Sequence, residues 1–295
     1  MPFKIAVASG KGGTGKTSIS VQIFHALGKI HPSILVDWDV EEPNDGLFFT
    51  NAKLISTEVI HQQVANINTE NCTYCRKCVE YCEFNAITVI PPVKYTKIDP
   101  SLCHSCGACL YACQDQAIFE TNSELGLMKT YHIQNQNFLI EGLLKIGSPM
   151  QTSLIRSIKK QTPQNSSIII YDAPPGTSCP VVETISESDY IVLVTEPTPF
   201  GLHDLKLTIG LVKELNIPFG IIVNKAGLGY DKTHQYIKQE NLELLAEIPF
   251  SKTFATQYSK GELLNKGAQE FEDLLKNLSL KLTNKMYPHD WNHHT

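Results

Sequence analysis

Five short apolar runs along the chain each end in a polar or glycine-rich turn. They are Lys4–Ala8 before Ser9-Gly10, Ser33–Val36 before Asp37, Ile168–Tyr171 before Asp172, Ile191–Val194 before Thr195-Glu196, and Gly220–Val223 before Asn224-Lys225. Their β-branched residues do not alternate with polar ones, which predicts strands covered on both faces, as in a parallel sheet. Between them, stretches such as Thr17–Lys29 and Leu205–Leu215 carry a helical period. This alternation predicts an α/β fold with a doubly wound, mostly parallel sheet. Ligands of such sheets gather at the carboxyl ends of the strands, so the turn residues are expected to converge on one site. Near the end, Phe271, Leu274, Leu275, Leu278 and Leu282 share one helical face. The opposite face is mixed rather than basic, so this reads as a helix packed on the sheet, not a membrane-seeking one. His289, His293 and His294 read as a frayed tail rather than a metal site.

Residues 61–124 break the rhythm. They hold no long helical period, and Pro91-Pro92 interrupts them. They also repeat internally. Cys72, Cys75, Cys78 and Cys82, followed by Ala86-Ile87, recur 31 residues later as Cys103, Cys106, Cys109 and Cys113, followed by Ala117-Ile118. The organisation expected is a discontinuous larger domain, residues 1–60 and 125–295, carrying a small two-fold insertion at 61–124.

Composition narrows the function classes. The 295 residues are 42% hydrophobic and 19% charged, the balance of a globular protein with a real core. A formal net charge of −5 argues against general affinity for nucleic acid or anionic membrane. No stretch of about 18 apolar residues is present, so no membrane span is expected. Met1–Ala8 lacks the basic start of a signal peptide and reads as a strand. A cytoplasmic location follows, where thiols stay reduced. Nine cysteines then need a reason other than disulfides, and eight lie in the 42 residues from Cys72 to Cys113. That clustering points to metal.

Gly10-Lys11-Gly12-Gly13-Thr14-Gly15-Lys16-Thr17 satisfies GxxxxGK[ST], after a strand and before a helix. The glycines let backbone N–H groups curl around phosphates, and the helix N-terminus adds a favourable dipole. Lys16 is expected on the β- and γ-phosphates and Thr17 on Mg²⁺. Asp172 is expected to hold Mg²⁺ through water, and Gly176 to let the following turn sense the γ-phosphate. Of Asp37 and Asp39, one is expected to support Mg²⁺ and the other the attacking water. Asn224 is expected to read the adenine edge. The loop Glu196-Pro197-Thr198-Pro199-Phe200-Gly201-Leu202-His203-Asp204 is expected to border the nucleotide, with His203 starting a helix. Cys179 reads as a small buried residue.

Each cysteine run reads C-x2-C-x2-C-x3-C. Three thiolates at that spacing wrap one face of a cubane, and the fourth ligand comes from the other run. One 4Fe-4S cluster would use Cys72, Cys75, Cys78 and Cys113, the other Cys103, Cys106, Cys109 and Cys82. The competing reading is two zinc sites. Structural zinc prefers paired C-x2-C elements separated by a longer loop, which these runs lack. Two oxidised clusters, each at roughly −2, would take the net charge from −5 to about −9.

The extra lysine at Lys11, within Lys-Gly-Gly-Thr-Gly-Lys-Thr, resembles the deviant phosphate loop of the MinD/ParA group of P-loop ATPases. The resemblance covers residues 1–60 and about 125–295. It implies ATP binding, slow hydrolysis and an ATP-dependent homodimer. It also implies that Lys11 reaches the partner's nucleotide and that Asp39, in Val36-Asp37-Trp38-Asp39, is the catalytic aspartate. Residues 65–120 resemble the bacterial two-cluster ferredoxins. Those place a proline after the fourth cysteine, where Glu83 and Gln114 stand here. The whole chain is similar to MinD-superfamily ATPases with an inserted ferredoxin domain. Three functions follow as expectations. The first is an ATP-gated electron-transfer or partner-binding protein that works with an unidentified redox or iron–sulfur partner. The second is an iron–sulfur assembly carrier. The third is a positioning or partitioning ATPase with a structural metal module.

Overall fold

The computed structural model describes residues 1–264 and 272–286. Phe271, His289, His293 and His294 lie outside the described residues. The strands are β1 (Phe3–Ala8), β2 (Ser33–Asp37), β3 (Lys53–Ile67), β4 (Ile87–Ile90), β5 (Tyr95–Ile98), β6 (Ile118–Gln134), β7 (Asn137–Leu144), β8 (Ile168–Asp172), β9 (Tyr190–Thr195), β10 (Phe219–Ala226) and β11 (Leu244–Pro249). The helices are α1 (Lys16–Leu27), α2 (Lys77–Glu80), α3 (Ala108–Ala112), α4 (Gln151–Gln161), α5 (Cys179–Ile185), α6 (Pro199–Glu214), α7 (Lys232–Gln239), α8 (Lys252–Ser259) and α9 (Glu272–Met286). Nine strands form one sheet in the order β11-β10-β9-β1-β8-β2-β7-β6-β3. The seven from β11 to β7 pair in parallel; β6 runs antiparallel to β7, and β3 antiparallel to β6.

Both faces of the parallel region are buried. Ala6, Ile34 and Val36 face one core layer with α4, α5 and α6, while Ile5, Val7 and Leu35 face the other with α1. That two-sided covering is why these strands read as uninterrupted apolar runs. Helix α9 closes the second layer with Leu278 and Leu282, which are 2% and 0% exposed. No described helix is long and apolar enough to cross a membrane.

β3 and β6 are much longer than the rest, and they leave the sheet as a two-stranded ribbon. β6 pairs with β7 only from Gly126 onward, so residues 118–124 pair with β3 alone. At the departure point the register shifts between Ile60 and His61, leaving Leu125 as the extra residue. Such a bulge bends the strand and increases its twist. Leu125 is 1% exposed and anchors in the main core. Gly126 lets the strands close up there, since a Cβ would sit 2.4 Å from the Leu143 carbonyl oxygen.

The ribbon carries a small unit with its own core. Val64, Ala65 and Ile118 from the ribbon pack with Ala86, Ile87, Val89, Cys103 and Cys109. A β4–β5 hairpin and the short helices α2 and α3 complete it.

Candidate functional site

The phosphate loop lies between β1 and α1. Gly13 and Gly15 adopt φ of +79° and +94°, conformations open to glycine at little cost. A Cβ on Gly15 would come within 2.2 Å of Asn224 Nδ2. Asn224 has both ends of its amide engaged. Its Nδ2 donates to the Thr14 carbonyl at 2.7 Å, and its Oδ1 accepts from the Lys225 N–H. The residue expected at the adenine edge therefore braces the phosphate loop in this structure. Gly176, at φ +97°, donates its N–H to the Ser9 carbonyl at 3.0 Å, tying the turn after β8 to the loop.

Asp172 is the hub. Its Oδ1 meets Lys16 Nζ at 3.0 Å and the Ser20 hydroxyl at 2.6 Å, and its Oδ2 accepts from the Thr17 hydroxyl at 2.8 Å. Asp37 accepts three backbone N–H bonds, from Asp39, Asn44 and Asp45. Asp45 was not singled out by the sequence reading. It opens a 3₁₀ turn, Asp45–Phe48, that buries it completely. Carboxylate oxygens of Asp37, Asp45 and Asp172 lie within 4.8 Å of one another. Neither Asp45 oxygen has a hydrogen-bond partner.

Burial would lower the Lys16 ammonium, but Asp172, with Asp45 and Asp37, outweighs it and the net shift is upward. Burial raises Asp37 to about 7, with the Asp172 charge adding, and raises Asp45 strongly for the same reason. Half-buried Asp39 is also raised, by burial and against the pull of Lys16. An all-oxygen set of Thr17, Asp37, Asp45 and Asp172, short of positive charge, suits a hard divalent cation such as Mg²⁺.

Raised acids bind more protons when folded than when unfolded. Their contribution is full below the unfolded carboxylate value of about 4 and is lost as pH rises through the folded value, near 7 for Asp37. The nucleotide-free protein is therefore expected to lose stability between about pH 4 and 7, by up to about 1.4 kcal/mol per pH unit for each such proton. Thermal denaturation without Mg²⁺ checks this, and Asp45→Asn should flatten the slope.

Lys11 does not project free. Its Nζ meets Glu196 Oε1 at 2.6 Å, while Lys225 Nζ meets Glu196 Oε2 at 3.0 Å and the Gly13 carbonyl at 2.9 Å. Burial would raise the Glu196 carboxyl, but the two lysines outweigh it and hold it low. Glu196 reached the site as part of the loop after β9, a loop legible in the sequence; its pairing with two distant lysines was not. His203 is exposed on α6 but does not start it: the helix begins four residues earlier at Pro199, behind the Thr198 cap. Cys179 corrects its reading: it is exposed, because α5 turns Val181, Thr184 and Ile185 inward and leaves its first residue outside.

In the ribbon-borne unit all eight cysteines are free. They line two hollows. Cys72, Cys75, Cys78 and Cys113 line one, and Cys103, Cys106, Cys109 and Cys82 line the other. Each hollow takes three thiols from one run and one from the other. The runs wind alike: Tyr74 and Ser105 have φ 59° and 55°, Arg76 and Gly107 68° and 73°, Asn85 and Gln116 53° and 50°. Burial raises the Cys109 thiol to about 11 and raises Cys78, with neighbouring cysteines adding to both. Four gathered thiols do not ionise readily alone; bound metal reverses that balance. The donor set fits iron–sulfur clusters, and Tyr74 N–H and Ala117 N–H already point at Cys72 Sγ and Cys113 Sγ, at 3.4 and 3.2 Å.

Comparisons with known proteins agree with the nucleotide half of this site. Residues 5–264 match the family model described as the CobQ/CobB/MinD/ParA nucleotide binding domain. An uncharacterized protein of Methanocaldococcus jannaschii is 32% identical over 260 residues, covering 88% of this chain and 90% of its own. An iron–sulfur cluster carrier protein of the same organism is 28% identical over 137 residues, 40% of this chain and 47% of that one. Among solved structures, the cell division ATPase MinD of Pyrococcus furiosus superposes with a TM-score of 0.59 at 17% identity, over 96% of this chain and 99% of that one. That last likeness shows the fold. The chain belongs to the CobQ/CobB/MinD/ParA nucleotide-binding family.

Proposed function

From that membership, we propose a slow ATPase that carries two 4Fe-4S clusters, in which ATP-dependent pairing of two copies governs electron transfer or partner binding. Lys16 would grip the β- and γ-phosphates, and Thr17 with Asp37 and Asp172 would hold Mg²⁺. Asp39, half-buried beside Lys16, would orient the attacking water. Two cysteine quartets would hold the clusters, each supplying a one-electron store. One observation carries the coupling between the halves. β3 begins at the opposite end of the sheet, but the ribbon leaves it at Ile60 and Gly126, beside Leu144 just past the carboxyl end of the β2–β7 pairing and so at the nucleotide end, and its far end bears both thiol-lined hollows. Ordering of Val40–Asn44 and Asp45 around Mg²⁺ and γ-phosphate would shift the root of that ribbon.

Linkage sets the test. If nucleotide shifts cluster potential, reduction must shift nucleotide affinity by the same free energy. A tenfold change in affinity corresponds to about 59 mV for one electron. Cluster potentials measured with and without a non-hydrolysable ATP analogue are expected to differ by tens of millivolts. Equal potentials, together with equal affinity in oxidised and reduced protein, would leave two independent modules.

Pairing is tested at Lys11. In this structure Glu196 of the same chain holds it, so reaching a partner would require exchanging that ion pair for phosphate. Lys11→Ala is expected to abolish ATP-dependent dimerisation in light scattering. Glu196→Gln is expected to strengthen it, since the competing carboxylate charge is removed. Wild-type dimerisation by the alanine variant would end the proposed trans role.

The likeness to iron–sulfur cluster carrier proteins favours a second reading, in which the clusters are cargo. Complete four-thiol quartets argue for retention. Rapid ATP-stimulated transfer to an apo-ferredoxin would favour the carrier.

A further inference from the structure

We infer that the two thiol-lined hollows hold clusters of unequal potential, with the Cys72/Cys75/Cys78/Cys113 cluster the easier to reduce. This rests on the cluster reading above and adds an order to it. The internal repeat makes the comparison a controlled one, because the two runs share a left-handed backbone at three matched positions.

Three differences act in one direction. The first is charge. Arg76 and Lys77 line the first hollow, and their counterparts 31 residues on, Gly107 and Ala108, are uncharged. Against those two cations the first hollow has one acid, Asp115, which accepts from the Thr73 hydroxyl at 2.6 Å. The second hollow has the acid Glu120 and no Lys or Arg along its lining. Reduction adds negative charge, and nearby cations stabilise it.

Solvent is the second difference. Cys103 and Cys109 are buried, at 9% and 8% exposure, whereas all four thiols of the first quartet are half-buried or exposed. Phe84 stacks on His104 at 3.7 Å between ring centroids, both residues lining the second hollow. An electron placed there gains less hydration.

Hydrogen bonding to sulfur is the third. Backbone N–H groups reach sulfur at Cys72, Cys78 and Cys113 of the first quartet and at Cys109 of the second. N–H donors withdraw charge from the thiolate and favour the reduced cluster. Against these three stand Asp115 at the first hollow, which Thr73 engages, and His104 at the second, where the first has Thr73.

The test uses the full chain, reconstituted anaerobically, with iron and sulfide counted before titration. A dithionite titration followed by EPR is expected to give two one-electron waves separated by at least a tenfold ratio of reduced populations, about 59 mV. Arg76→Gln with Lys77→Gln should lower the upper wave and leave the lower one in place. Ala108→Lys, which adds a cation to the second run, should raise the lower wave and narrow the gap. A single two-electron wave in protein holding both clusters would overturn the inference. So would a double variant that moves only the lower wave. Stoichiometric zinc without sulfide would instead sink the cluster reading itself, and the metal analysis tells the two failures apart.

Discussion

Lys16→Ala is expected to abolish ATP binding or hydrolysis, with a loss of at least about 10²-fold, because it removes a preorganised cation from the phosphate charge. The structure adds a second consequence. Lys16 is 7% exposed and stands against Asp172, with Asp37 and Asp45 nearby. Its removal leaves three buried carboxyls without that neutralising charge, so the variant should also be less stable as pH rises. Lys16→Arg separates the two effects. It keeps the charge beside the acids but cannot reproduce the ammonium's fit in the loop, so stability should recover more than activity. Asp39→Ala should differ from both: nucleotide stays bound, hydrolysis is lost, and the dimer persists. Isothermal titration with ADP and phosphate release with ATP distinguish these variants. Full hydrolysis by Lys16→Ala would remove the phosphate loop from the mechanism.

Cys113→Ser is expected to lose one cluster while sparing the other. Wild-type protein purified without oxygen should hold about eight iron and eight sulfide per chain, and the variant about four of each. The geometry fixes which cluster goes. Cys113 sits in the second run by sequence, yet it lines the hollow of Cys72, Cys75 and Cys78. Cys82→Ser should make the reciprocal loss, at the hollow of Cys103, Cys106 and Cys109. Iron analysis and EPR of the remaining cluster check both. If each variant instead damaged the cluster of its own run, the crossed quartets would be wrong.

Much of this molecule was legible before folding. The five apolar runs became β1, β2, β8, β9 and β10, since strands buried on both faces must be apolar throughout. The phosphate loop was legible because its chemistry is local: four glycines, two lysines and two threonines within eight consecutive residues. The cysteine repeat was legible for the same reason.

Other features exist only in three dimensions. β3 and β6 escaped the reading because their outer halves stand clear of the sheet and carry polar residues such as His61, Gln62 and Gln63, so no single face repeats. Asp45 escaped because nothing local marks an acid for burial; the 3₁₀ turn after Asn44 swings it against Asp37 and Asp172. Lys11 and Lys225 meet Glu196, which follows β9, from the phosphate loop and from β10, 185 and 29 residues away along the chain, and their pairing is decided by strand order in the sheet. Asn224 shows the same limit. Its position at a strand end was plain from sequence, but its partner, the Thr14 carbonyl, is supplied by the packing of the β10 end against the loop. Short-range patterns thus determined which chemistry this chain carries. Long-range closure of the sheet decided which charges that chemistry must work against.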